Sequence, residues 1–66
     1  MNIEINGNSR DVPETCTLAE ALSAHPVPDR GVAVALNGSV VPRADWSRTE
    51  LHPDARVEVL TAVQGG

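Results

Sequence analysis

Apolar and polar residues alternate strictly at the start of the chain: Met1, Ile3 and Ile5 point one way, and Asn2, Glu4 and Asn6 the other. A period of two predicts a strand with one face buried. Asn6-Gly7 follows, a pair that tolerates positive φ and so favours a tight hairpin. A short return strand is expected from about Ser9 to Val12, ended by Pro13, which cannot donate to a ladder. The period then changes. Leu18, Ala21, Leu22 and His25 fall at i, i+3, i+4 and i+7, one largely apolar face of a helix. Thr17 is a good N-cap, and Glu20 three residues on completes a capping box. Pro26 stops this helix, because the residue before a proline is pushed out of the α region.

Pro28 and Gly31 mark the connection to the most apolar segment, Val32 to Leu36. Its larger residues Val32, Val34 and Leu36 share one face, and the small Ala33 and Ala35 share the other. Asn37-Gly38 repeats the hairpin signal, and Ser39 to Val41 return before Pro42. Arg43 to Leu51 read as an irregular turn or short helix carrying Trp46, and Pro53-Asp54 makes another turn. A last strand runs from Arg56 to Val63, with Val57, Val59 and Val63 on one face. The order is ββαβββ, an α+β fold in which a mixed sheet of about five strands carries one main helix on one face. Residues 1–63 read as one domain, and 64–66 as a flexible tail.

Composition sharpens this picture. The chain has 66 residues, 41% hydrophobic, with Trp46 its sole aromatic, so the core must be built from Val, Leu, Ile and Ala. A chain this short buries only about 60% of the surface its unfolded form exposes. Net charge is −4, which argues against nucleic acid as a partner, since that needs a clustered basic surface. The run Val32 to Leu36 is far too short to cross a bilayer, and the first residues lack the basic-then-apolar pattern of a signal peptide. A cytoplasmic protein, monomeric when free, is the expectation. Its one cysteine, Cys16, excludes an internal disulfide and a Cys-rich zinc site, and no metal is expected. The chain contains no lysine, so its side chains offer no branch point for an isopeptide bond.

Candidates for chemistry inside the fold are few. His25 suits the carboxyl end of the helix, and His52 beside Pro53 reads as a turn residue. Cys16 precedes a helix N-terminus, where a thiolate would be stabilised; the plainer reading is a small side chain packed there. The nine carboxylates are scattered and form no ligand cluster.

The last two residues, Gly65 and Gly66, carry more. A glycine pair at a chosen position has a chance of only about 0.5%, the square of average glycine usage. A carboxylate at Gly66 is ionised at neutral pH and can attack the α-phosphate of ATP to give an acyl-adenylate. Neither glycine has a Cβ, so the backbone can thread a narrow nucleotide site on another protein.

The chain as a whole resembles the ThiS family of sulfur carriers, ubiquitin-like β-grasp proteins of thiamine biosynthesis. The resemblance rests on Ile3-Glu-Ile-Asn-Gly7, Thr17-Leu-Ala-Glu20, Val32-Ala-Val-Ala-Leu-Asn-Gly38, Val41-Pro-Arg43, Trp46, Arg56-Val-Glu58 and Val63-Gln-Gly-Gly66, in this order and spacing. One departure is that Pro53-Asp54-Ala55 stands where the family usually has an Asp-Gly-Asp type turn. The resemblance implies a carrier and co-substrate rather than an enzyme. A ThiF-like adenylating enzyme would activate Gly66 at the expense of ATP, with Gly65 as the threading residue. A cysteine desulfurase or other sulfur donor would convert it to a thiocarboxylate, and thiazole synthase (ThiG) would take the sulfur. No cofactor is expected on the chain itself.

The strand pattern adds a candidate docking surface. With Val34, Leu36, Val57 and Val59 facing the helix, Ala33, Ala35, Leu60 and Ala62 lie on the opposite sheet face as an apolar patch beside the tail. Arg43 is a further candidate for the same partners. Two other readings compete: a MoaD-like small subunit of molybdopterin synthase, with the same terminal chemistry, and a β-grasp module that binds a partner through its sheet without needing a free Gly66 carboxylate.

Overall fold

The computed structural model describes residues 1–23 and 31–61. Five strands form one sheet: β1 (Asn2–Ile5), β2 (Asn8–Asp11), β3 (Val32–Leu36), β4 (Ser39–Val40) and β5 (Arg56–Thr61). The helix α1 (Leu18–Ser23) lies between the two hairpins in sequence, and a 3₁₀ helix (Arg43–Arg48) links β4 to β5. The sheet order is β2-β1-β5-β3-β4. β1 and β5 run parallel, and the other pairs are antiparallel. The last strand thus occupies the middle of the sheet, as the β-grasp arrangement requires.

Local chemistry accounts for each element. Both hairpins turn on Asn-Gly pairs with positive φ throughout: Asn6 at 51° and Gly7 at 83°, Asn37 at 51° and Gly38 at 88°. These are the backbone angles of a two-residue hairpin whose twist matches the strands it joins. At the start of α1 the capping box is formed: the Thr17 N–H donates to Glu20 Oε1 at 2.8 Å, and the Glu20 N–H donates to Thr17 Oγ1 at 3.2 Å. The helix has six described residues, too few to stand alone in water. It is held by burial of Leu18, Ala21 and Leu22. The expected helix end at His25 and Pro26, and the connection through Pro28, lie outside the described residues.

The core lies between the sheet and α1. Ile3, Ile5, Leu18, Val34 and Val57 are fully buried, and each contributes about 1.5–3 kcal/mol by leaving water. Trp46 closes this core from the 3₁₀ helix and donates its indole N–H to the Val41 carbonyl at 2.9 Å. Backbone bonds from Leu18 to the Thr49 carbonyl (2.8 Å) and from Leu51 to the Cys16 carbonyl (3.0 Å) tie that segment to the start of α1.

The turn before β5 bends at Asp54, whose φ is 66°. The Ala55 N–H donates back to the His52 carbonyl at 3.0 Å, closing the turn. Aspartate is among the few side-chain-bearing residues that visit the left-handed region readily. The chain thus still turns at Pro53-Asp54-Ala55, on Asp54.

Candidate functional site

β5 is the element that aims at the candidate site, since it leads directly into residues 62–66. Ala62, Gly65 and Gly66 themselves lie outside the described residues. The sheet face turned away from α1 can be read from strand register. Ala33 stands opposite Leu60, and Ala35 stands between Val40 and Glu58. Directly opposed residues share a face, so these five side chains form its centre. Leu60 is 58% exposed and Val40 70%, the large apolar side chains most open to solvent among the described residues. Ala33 is exposed as well.

Ala35 differs from the expectation. It lies on the outer face, but only 8% of it is exposed. The reason is its place in the sheet: β3 has neighbours on both sides, and the longer Val40 and Glu58 side chains flank the Ala35 methyl. Ala35 is therefore the floor of the patch rather than a contact point. Val40 takes the role that the strand pattern alone had not assigned. The signal for it was present, because a two-residue Asn-Gly loop pairs Leu36 with Ser39 and hence Ala35 with Val40.

The rim of this face is charged. Glu4 and Arg56 are in register across β1 and β5 and approach to 3.9 Å, and Glu58 is exposed next to them. Arg43 is carried by the 3₁₀ helix. Its guanidinium lies 4.5 Å over the ring of Trp46, a cation–π contact that ties it to the tryptophan that closes the core.

Cys16 is buried, and its Sγ donates to the Thr17 carbonyl at 3.3 Å. Burial pushes its pKa above the usual value, and the negative charge of Glu20 adds to this; the chain's amino terminus opposes both. The thiol is thus neutral at physiological pH, which favours the packing reading over a reactive thiolate. His52 is exposed in its turn, and His25 lies outside the described residues. Among the described residues, no group of three or more His, Cys, Asp or Glu side chains is placed to hold a metal, and no helix is long and apolar enough to cross a membrane.

Among the described residues, the sheet order, the parallel β1–β5 pair and the single capped helix define a ubiquitin-like β-grasp protein. Comparison with known proteins agrees. The ThiS family model matches residues 3–66, and the chain belongs to that family. It is similar to the crystal structure of a thiamine biosynthesis protein (ThiS) from Geobacter metallireducens, with 35% identity, complete coverage of both chains and a TM-score of 0.82. A solution structure of a thiamine biosynthesis protein from the same organism is similar at 35% identity, covering 100% of this chain and 88% of that one, with a TM-score of 0.76. No curated protein matches the sequence.

Proposed function

We propose that this chain is a sulfur carrier for thiazole formation in thiamine biosynthesis, a co-substrate handed between enzymes. The observation that carries the reading is that the ThiS family match runs through Gly65 and Gly66, the residues into which the central strand β5 leads. A carboxylate oxygen of Gly66 attacks the α-phosphorus of ATP in a ThiF-like enzyme, and pyrophosphate leaves. Hydrosulfide, or the sulfur of a persulfide formed by a cysteine desulfurase or other donor, then adds to the acyl carbon, and AMP leaves with the C–O electron pair. With hydrosulfide the product is directly the thiocarboxylate; with a persulfide it is an acyl disulfide, whose S–S bond a thiol reductant cleaves to release the thiocarboxylate and form a disulfide with the donor's sulfur. Thiazole synthase takes the sulfur from the thiocarboxylate.

This chain's own contribution is presentation. Gly65 and Gly66 let the main chain reach a confined nucleotide site, because no Cβ crowds the attacked carbonyl. The outer-face patch of Ala33, Val40 and Leu60 over Ala35 supplies an apolar surface beside the strand that carries the tail. Docking there removes exposed apolar area from water. Arg43, whose guanidinium lies over the Trp46 ring, is a further candidate contact for the same partners.

The test is the intact mass of the chain after incubation with ATP, sulfide and the adenylating enzyme of the same cell. A gain equal to sulfur minus oxygen is expected, and none after deletion of Gly66. No gain, from an enzyme shown to act on another carrier, would overturn the reading.

A further inference from the structure

β5 is paired with β3 from Val57 to its end, but with β1 only at its start. On one side, β3 pairs with it as far as Thr61, which stands opposite Val32. On the other, β1 pairs only to Ile5 opposite Val57. Asn6 then donates its N–H to the Val57 carbonyl at 2.9 Å, and its φ of 51° turns the chain away into the hairpin. Its side chain continues the ladder alone. Asn6 Oδ1 accepts the Val59 N–H at 2.8 Å, and Nδ2 donates to the Val59 carbonyl at 3.4 Å.

The backbone groups of Val57 and Val59 therefore face the β1 side. By the alternation of a strand, the N–H and C=O of Thr61 face that side too. The other residues face β3, as the bond from the Asn37 N–H to the Arg56 carbonyl at 2.8 Å confirms. Among the described residues, no strand pairs with β5 at Thr61 on the β1 side.

We propose that this open edge at Thr61 is a strand-addition site, occupied by an extended segment of the enzyme that activates the chain's end. The proposal rests on the carrier reading above. Residues Gly65 and Gly66 have no side chains to grip, so a protein that positions them must hold main chain. Hydrogen bonding to a strand edge does this, and Thr61 stands four positions before Gly65 in the chain. Leu60, 58% exposed next to that edge, gives the added segment an apolar contact on the outer face. The exposed Glu58 and the chain's net charge of −4 favour a segment bearing a basic residue. A second copy of this chain fits less well. Two such edges would meet over a single residue each, far below the area of a stable interface. An enzyme that also covers the outer face gains its remaining area there.

Thr61→Pro separates the two sides of β5. It deletes the outward N–H and, because bonding to β3 falls on the alternate residues, no ladder bond within the chain. Thr61→Ala keeps the N–H. In ATP–pyrophosphate exchange by the adenylating enzyme, KM for Thr61→Pro is expected to rise about tenfold, the loss of one well-formed hydrogen bond. For Thr61→Ala it is expected to stay within about threefold of wild type. Hydrogen exchange of the Thr61 amide in the unmodified chain keeps the test independent of how well the proline variant folds. That amide is expected to become protected at least about tenfold when the enzyme binds. Wild-type turnover with an unprotected Thr61 amide in the complex would overturn strand addition alone. No exchange with the wild-type chain, from an enzyme active on another carrier, would overturn the carrier reading and with it the partner named here. Protection that grows with the concentration of the chain alone would make the occupant a second copy and overturn the assignment to the enzyme.

Discussion

At Cys16 the thiol is enclosed at the start of α1 and donates to the Thr17 carbonyl. Burial first, and Glu20 second, raise its pKa above the usual 9.0. The sign of the linkage follows. The unfolded thiol ionises first, so this group's contribution to stability is complete below about pH 9 and falls as pH rises toward the folded pKa. Iodoacetamide at about pH 8 should label the folded chain at least about tenfold more slowly than the denatured chain, as followed by mass. Equal rates would mean that the thiol is accessible. Leu60 is the opposite case, a large apolar side chain left in water. Leu60→Arg should abolish partner-dependent adenylation while leaving the melting temperature within a few degrees, since the residue contributes little to the core. Unchanged adenylation would remove the outer face from the docking surface. Exposure at Leu60 was legible from strand parity alone. The screening of Ala35 was not, because it depends on which strands flank β3.

The short elements depend on their ends. The Thr17–Glu20 capping box could be read from spacing, and it forms with two reciprocal bonds. Thr17→Ala should cost about 1 kcal/mol. In a domain of this size that lowers the melting temperature by roughly 4–8 °C, measurable by circular dichroism. The hairpins were equally legible, since Asn-Gly states the turn type directly. What the pattern did not reveal is the second use of both asparagines. Asn37 Oδ1 accepts the Arg56 N–H at 2.9 Å, and Asn6 binds both backbone groups of Val59. These contacts reach across 19 and 53 residues of sequence, so no local window contains them. Asn6→Ala should destabilise the chain by about 1–2 kcal/mol in urea unfolding, because it removes two exposed bonds to the Val59 backbone and puts alanine at a positive φ.

On the scale of the whole molecule, five fully buried aliphatic side chains come from β1, α1, β3 and β5 and join the helix to the three central strands. No Phe or Tyr supplements them. A domain this small holds only about 3–5 kcal/mol of net stability. Ile3→Ala, which costs about 2–5 kcal/mol by transfer and cavity terms, should therefore leave the chain largely unfolded at 25 °C by far-UV circular dichroism. A cooperative melt near the wild-type temperature would show that the core is larger than these side chains.

The amino-acid sequence by itself determined the order of elements, both hairpins, the helix start, the inward faces of the strands and the glycine pair. Each of these depends on interactions between residues a few positions apart: side-chain period, tolerance of positive φ, and side chain to backbone capping. Only the tertiary structure decided that β5 lies between β1 and β3, that Val40 joins Leu60 while Ala35 is covered, that Cys16 is enclosed, and that β1 stops short of Thr61. Those facts depend on which distant strands become neighbours. The parallel pairing of β1 with β5 joins the two ends of the described chain, and a local pattern carries no information about that partnership.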